Sequence, residues 1–126
     1  PRLENDLVDL LVNVKEKNLD NYTLNWKDNY AITVVLAANG YPENYQTGDE
    51  IKGLDQLANM KNVEIFHAGT KMEKNKVVTS GGRVLNVNGY GKKISEAKEN
   101  AYDLVKKINW PNCYYRRDIG WRVLKD

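Results

Sequence analysis

Apolar residues recur at helical spacing at Leu3, Leu7, Leu10, Leu11 and Val14, with Glu4, Asp6, Asp9, Lys15, Glu16 and Lys17 on the other side. This predicts an amphipathic helix whose acids lie toward its start, as its dipole favours, and whose apolar stripe must dock on something. Residues 19–29 are dense in Asn and Asp, with Tyr22, Leu24 and Trp26 as anchors, and read as a connecting segment across a surface. The β-branched and continuously apolar run from Tyr30 to Ala38 predicts a strand buried on both faces and stopped at Asn39-Gly40.

Val63-Glu64-Ile65-Phe66-His67 alternates in period two and ends at Ala68-Gly69-Thr70. Lys76-Val77-Val78-Thr79 runs into Ser80-Gly81-Gly82, and Arg83-Val84-Leu85-Asn86-Val87-Asn88 resumes after it, which predicts a hairpin about the glycines. Residues 71–76 read as a solvated hairpin tip. Ser95 is placed to cap a last helix whose apolar face is Ala97, Ala101, Leu104, Val105 and Ile108, and Trp110-Pro111 is placed to end it. The expected fold is α+β: a small antiparallel or mixed sheet covered by one helix and preceded by one amphipathic helix.

With 126 residues, the chain is the size of one domain with an appendage. A compact fold of this mass exposes roughly 6,900 Å². Nineteen basic and seventeen acidic residues are interspersed, without the basic stripe of a nucleic-acid reader, although eight tyrosines and three tryptophans offer stacking surfaces. A single cysteine, Cys113, excludes an internal disulfide and a CxxC metal site, and predicts a reducing, cytoplasmic setting. The longest apolar run, residues 31–38, is far below the length of a membrane helix. Opening at Pro1 and running at once into a helix, the chain is expected to be a piece of something longer.

The sharpest local feature is Thr79-Ser80-Gly81-Gly82-Arg83. Adjacent glycines permit positive φ and close approach to a ligand, and Arg83 offers a planar fork for carboxylate or phosphate. The same residues also describe an ordinary glycine turn with an exposed arginine. His67, the only histidine, stands at a strand end; it is a site candidate or a half-buried residue bonded to backbone. Tyr41, in the loop Asn39-Gly40-Tyr41-Pro42-Glu43, is placed to close over a neighbour. Arg116, Arg117 and Asp118 lie in an aromatic and arginine-rich tail that suits an interface or anion site, or a local Arg117 to Asp118 pair with Ile119 and Trp121 docked on the core. No GxGxxG, phosphate loop or carboxylate cluster is present, so a self-sufficient ATP enzyme is not expected.

Several blocks together closely resemble the C-terminal part of the phosphoribosylamine-glycine ligase family, ATP-grasp enzymes of purine biosynthesis. They are Val34-Val35-Leu36-Ala37-Ala38-Asn39-Gly40-Tyr41-Pro42, Gly48-Asp49, Phe66-His67-Ala68-Gly69-Thr70, Val77-Val78-Thr79-Ser80-Gly81-Gly82-Arg83-Val84-Leu85, Ala101-Tyr102 and Tyr114-Tyr115-Arg116-Arg117-Asp118-Ile119-Gly120-Trp121-Arg122. The chain departs from the family pattern at Asn86, where Gly is usual, and at Asn88-Gly89-Tyr90-Gly91, which replaces a more apolar run.

The resemblance implies that residues 1–18 are the terminal helix of the ATP-grasp portion, 19–27 a connector and 28–126 the C-terminal domain. It implies a parent joining glycine to 5-phospho-β-D-ribosylamine through glycyl phosphate, with Mg (or Mn) and ATP bound upstream of Pro1 and with no catalytic or metal-binding residue in this part. The expected partners are the N-terminal and ATP-grasp domains of the same chain and the two small substrates, without nucleic acid or membrane. Arg83 matches the arginine that related ligases place beside an anionic substrate. Gly82, Gly81, Ser80 and His67 would shape the same cleft wall, with Tyr41, Arg116, Arg117 and Asp118 as further candidates. An alternative is a stand-alone binding or regulatory module derived from that domain.

Overall fold

A computed structural model describes residues 1–124. Helix α1 spans Leu7–Lys15, and the Asp6 carboxylate caps it by accepting from the amides of Val8 (2.7 Å) and Asp9 (3.2 Å). No residue of α1 is buried; Leu7, Val8, Leu11, Val12 and Val14 all face solvent. Leu3 is not on the helix as the spacing predicted, but precedes it and bridges Trp26. Around that bridge residues 2–5 and 23–27 clasp each other: the Glu4 amide donates to Asn25 O, the Lys27 amide to Arg2 O, and the Arg2 guanidinium back to Lys27 O. The segment read as a connector is thus half of a clasp that closes the loop carrying α1.

The body of the fold is a four-stranded antiparallel sheet in the order β2-β5-β1-β6, from β1 (Tyr30–Ala38), β2 (Val63–His67), β5 (Arg83–Gly91) and β6 (Cys113–Tyr114). One helix, α2 (Ile94–Val105), lies on it. Ile32, Val34 and Leu36 of β1 and Leu85 and Val87 of β5 meet Ala97, Ala101, Leu104 and Val105 of the helix in one core. Gly89 sets their separation: a Cβ there would lie 2.2 Å from Ala97 O and 2.3 Å from the Ala101 amide nitrogen. The helix therefore rests backbone to backbone on β5.

Burial of β1 on both faces does not hold along its length. Thr33 and Val35 are exposed, and across the register Val35 shares a rung with Asn86 and the exposed Phe66. A single helix covers a single face, so only the end of the strand, Leu36 to Ala38, is buried without alternation. On the open face the buried Tyr90 hydroxyl donates to Glu64, and the Lys27 ammonium lies over its ring.

The predicted hairpin about the glycines is also corrected. β4 (Lys76–Thr79) pairs with β3 (Thr70–Glu73) in a separate two-stranded sheet, through a tight turn at Lys74 and Asn75, both with positive φ. Both edges of β5 are taken by β1 and β2, so β4 finds its second neighbour in residues 48–51 instead: the Gly48 amide donates to Thr79 O and the Ile51 amide to Val77 O. Two details of α2 differ too. Ser95 lies inside the helix and does not cap it; the Glu96 carboxylate turns back to accept from the Lys92 amide at 2.9 Å. The helix stops at Val105, well before Pro111, because the chain turns to bury Ile108 and Trp110.

The accessible surface is 8961 Å², well above the roughly 6,900 Å² of a compact protein of this mass. The exposed α1 and the open sheet face account for the direction of that excess. Among the described residues no helix is long and apolar enough to cross a membrane.

Gly89→Ala is expected to force α2 off the sheet at a cost of about 3 kcal/mol, since the obstructing atoms are main chain and cannot rotate away. Urea unfolding followed by circular dichroism measures it; a midpoint equal to the wild type would contradict the packing described.

Candidate functional site

Three separate parts of the chain converge on residues 80–83. The β2–β3 turn supplies the first: the Gly69 amide donates to Arg83 O (2.8 Å), and Gly69 O accepts from the Ser80 amide (2.7 Å). A Cβ on Gly69 would lie 2.7 Å from Gly81 Cα, so the two glycines cross with their main chains touching. The end of β1 supplies the second, the Ala38 amide donating to Gly82 O at 2.8 Å. The third is the Tyr41 ring, which fills the space a Gly82 side chain would need: a Cβ there would sit 2.0 Å from Tyr41 Cδ2.

This changes the physical role of the glycine pair. Neither Gly81 nor Gly82 adopts positive φ, contrary to the turn expected from sequence. Gly82 is needed because the Tyr41 ring fills the place of its side chain, whereas at Gly81 a Cβ would make only a tight contact, 3.1 Å from Gly69 Cα; both contacts come from residues distant in sequence. The clamp holds Arg83 at the first position of β5, opposite Ala37 and beside a register shift in the β1–β5 pair. Across β1 from it, Tyr114 of β6 also pairs with Ala37. Arg83 is exposed, and among the described residues its guanidinium makes no ion pair or hydrogen bond.

His67 ends β2 at the same corner, its Nδ1 2.9 Å from Thr70 Oγ1, so it stiffens the turn that carries Gly69. The ring is exposed, not half-buried. Ser80 is exposed beside the crossing. The structure thus brings His67, Ser80, Gly81, Gly82, Arg83 and Tyr41 together. Gly69 was missed as a participant; its only sequence signal was its place in the Ala68-Gly69-Thr70 turn.

The tail candidates behave differently. Arg116, not Arg117, pairs with Asp118, in a two-pronged contact of 2.9 and 2.6 Å. The arginine holds the Asp118 carboxyl below the usual range, and the carboxylate raises the already high value of Arg116. Both are exposed, so the pair orders the tail locally and contributes little to stability. Arg117 lines an open groove of about 630 Å³ along α2 with Lys98, Tyr102, Asp103 and Tyr115. Ile119 docks on the core, whereas Trp121 is 42% exposed with the Arg122 guanidinium over its ring. Tyr102 fastens the tail to α2, donating to Arg116 O at 2.7 Å and accepting from the Ile119 amide at 3.1 Å.

Burial pushes the Cys113 thiol up to about 12 from an ordinary value near 9. The raised value means its contribution to stability is full below pH 9 and is lost as the pH rises through 12. At pH 8 disulfide-exchange labelling of the folded domain is expected to be at least about 100-fold slower than that of a free thiol; labelling at the free-thiol rate would show the sulfur to be accessible. Tyr102→Phe removes both tail bonds and is expected to cost about 1 kcal/mol, with faster hydrogen exchange at Ile119. Unchanged exchange there would show that the tail is held elsewhere.

Residues 31–122 match the family model for the phosphoribosylglycinamide synthetase C domain. The chain is 43% identical over 124 residues to the phosphoribosylamine-glycine ligase of Brucella melitensis and 45% identical over 125 residues to that of Escherichia coli O157:H7, covering 98% of this chain and 29% of each relative. The chloroplastic ligase of Arabidopsis thaliana is 44% identical, with 24% of its length covered. A crystal structure of the Thermotoga maritima ligase superposes with a TM-score of 0.68 at 34% identity, over 86% of this chain and 27% of that one. The chain therefore spans under a third of the length of these relatives, and it belongs to the phosphoribosylglycinamide synthetase C domain family.

Proposed function

We propose that this chain is the C-terminal part of an ATP-dependent ligase that joins glycine to 5-phospho-β-D-ribosylamine, giving glycinamide ribonucleotide, ADP and phosphate in purine biosynthesis. In that reaction ATP converts the glycine carboxylate to glycyl phosphate, and the ribosylamine nitrogen attacks the carbonyl carbon and expels phosphate. Residues 1–18 then belong with the ATP-grasp portion, 19–27 connect, and residues from 28 onward form the C-terminal domain. The setting is cytoplasmic, and the partners are the upstream domains of the same chain.

Among the described residues no three His, Cys, Asp or Glu side chains cluster closely enough to hold a metal by themselves. That chemistry is assigned to the upstream portion. The role of this domain is to wall the substrate cleft, with Arg83 presented to an anionic group of the substrate and Ser80, Gly81, Gly82 and His67 shaping the same wall. The observation that supports this most is an arginine without a partner among the described residues, at the rim of a main-chain clamp. A guanidinium held this way forms a two-pronged bond to phosphate or carboxylate without first breaking another. By the same argument Arg116, which would first have to leave Asp118, is a weaker candidate than Arg83.

In the full-length ligase, Arg83→Ala is expected to raise KM for phosphoribosylamine or glycine by about tenfold or more while KM for ATP stays within about twofold. Unchanged kinetics for both substrates would remove Arg83 from the site. The isolated chain is expected to show no calorimetric binding of Mg-ATP; micromolar affinity would overturn the division of labour. A reading frame opening close to residue 1 would contradict the ligase reading itself and favour a separate binding module.

A further inference from the structure

We propose that Tyr41 is a positioning residue that sets Arg83 through Gly82 without itself touching substrate, an inference that rests on the reading of Arg83 above. The ring lies in the space that a side chain at Gly82 would occupy, with Cδ2, Cε2 and Cγ all within 2.9 Å of where that Cβ would be. Gly82 is buried under it and is joined directly to Arg83. On its other side the ring meets Tyr45 edge to face, at 5.9 Å between centroids. The ring is therefore a wedge between its own loop and the Gly82 main chain.

The loop that carries this wedge is itself held. The Tyr41 amide donates to Ala38 O, and the neighbouring Asn39 amide to Asn112 O. Ala38 also donates to Gly82 O, so one residue at the end of β1 ties both the wedge and the segment it presses upon. On the far side Gly81 rests against Gly69 and cannot retreat. Removing the ring frees Gly82 to move into the vacated space, and Arg83, one residue on, loses its fixed starting point. A guanidinium that must be re-ordered on binding costs affinity for the anion, while groups that hold ATP elsewhere are untouched.

The hydroxyl of Tyr41 has no part in this: it makes no hydrogen bond among the described residues. The ring face is what acts, which separates this role from a direct substrate contact. It also predicts coupling. If Tyr41 works only through Arg83, its loss must have no further effect once Arg83 is gone.

The test is a double-mutant cycle in the full-length ligase, with KM for phosphoribosylamine, glycine and ATP measured for each variant. Tyr41→Ala is expected to raise KM for whichever substrate Arg83→Ala affects by about fivefold or more, leaving KM for ATP within about twofold. Tyr41→Phe keeps the ring and restores the wild-type KM. In the Arg83→Ala background, Tyr41→Ala adds less than about twofold. Gly82→Ala reaches the same contact from the other side and is expected to reproduce the Tyr41→Ala effect, because the new methyl group displaces the ring.

If Arg83→Ala is silent, the cleft reading fails and this inference with it. If Arg83→Ala acts but Tyr41→Ala is silent, or multiplies the Arg83→Ala effect, the positioning role alone is overturned. Should Tyr41→Ala fail to fold, Tyr41→Phe still decides: a KM raised as in Arg83→Ala would make the hydroxyl a substrate contact and overturn the proposal.

Discussion

The approach of α2 to β5 at Gly89 is the contact on which the rest of the domain depends. With no side chain at that point, the helix lies directly against the strand, and Ala97 and Ala101 are small enough to keep it there. The core is consequently thin and fully closed on one side, with Val34, Leu36, Leu85, Val87 and Leu104 all at 0% exposure. It also makes β5 the spine of the sheet, since both of its edges are paired. One end of that spine passes through Gly91 into the helix; the other begins at Arg83. A strand gripped along its length by a helix and two neighbours is a rigid mount for whatever stands at its free end.

The same device recurs at the corner that carries Arg83. Gly69 on Gly81, and Tyr41 on Gly82, are again contacts made against bare Cα atoms. Electrostatics then distinguishes the arginines. Arg116 is neutralised by Asp118 and Arg122 lies over Trp121, whereas Arg83 carries its charge to the surface unpaired among the described residues. The ion pairs of the domain are exposed and peripheral, so they contribute little to the fold. Packing sets the shape, and it fixes one end of β5, where Arg83 stands, more firmly than the tail that carries Arg117, which is also without an ion pair or hydrogen bond among the described residues.

Local signals carried much of this architecture. Alternation in Val63–His67 and the helical spacing of Ala97, Ala101, Leu104 and Val105 are properties of a few consecutive residues, and both elements form there, although the helix ends at Val105 and leaves Ile108 beyond it. The partners of β4 were not legible, because pairing depends on which edges other strands have already taken. Nor were the contacts of Gly81-Gly82, since the atoms that crowd their Cα positions belong to Gly69 and Tyr41. A turn at positive φ is a local property and was the natural guess; close approach is a tertiary one. The apolar stripe of α1 was legible as a stripe, and its exposure fits a helix whose covering surface lies in another part of a longer ligase.

The most direct test of the central claim is a crystal structure of the full-length ligase with glycinamide ribonucleotide bound. The account predicts both arms of the Arg83 guanidinium on the phosphate or the glycyl end of the product, at about 2.7–2.9 Å, with Tyr41 still seated on Gly82. A product bound with Arg83 turned to solvent or paired to another domain would contradict it.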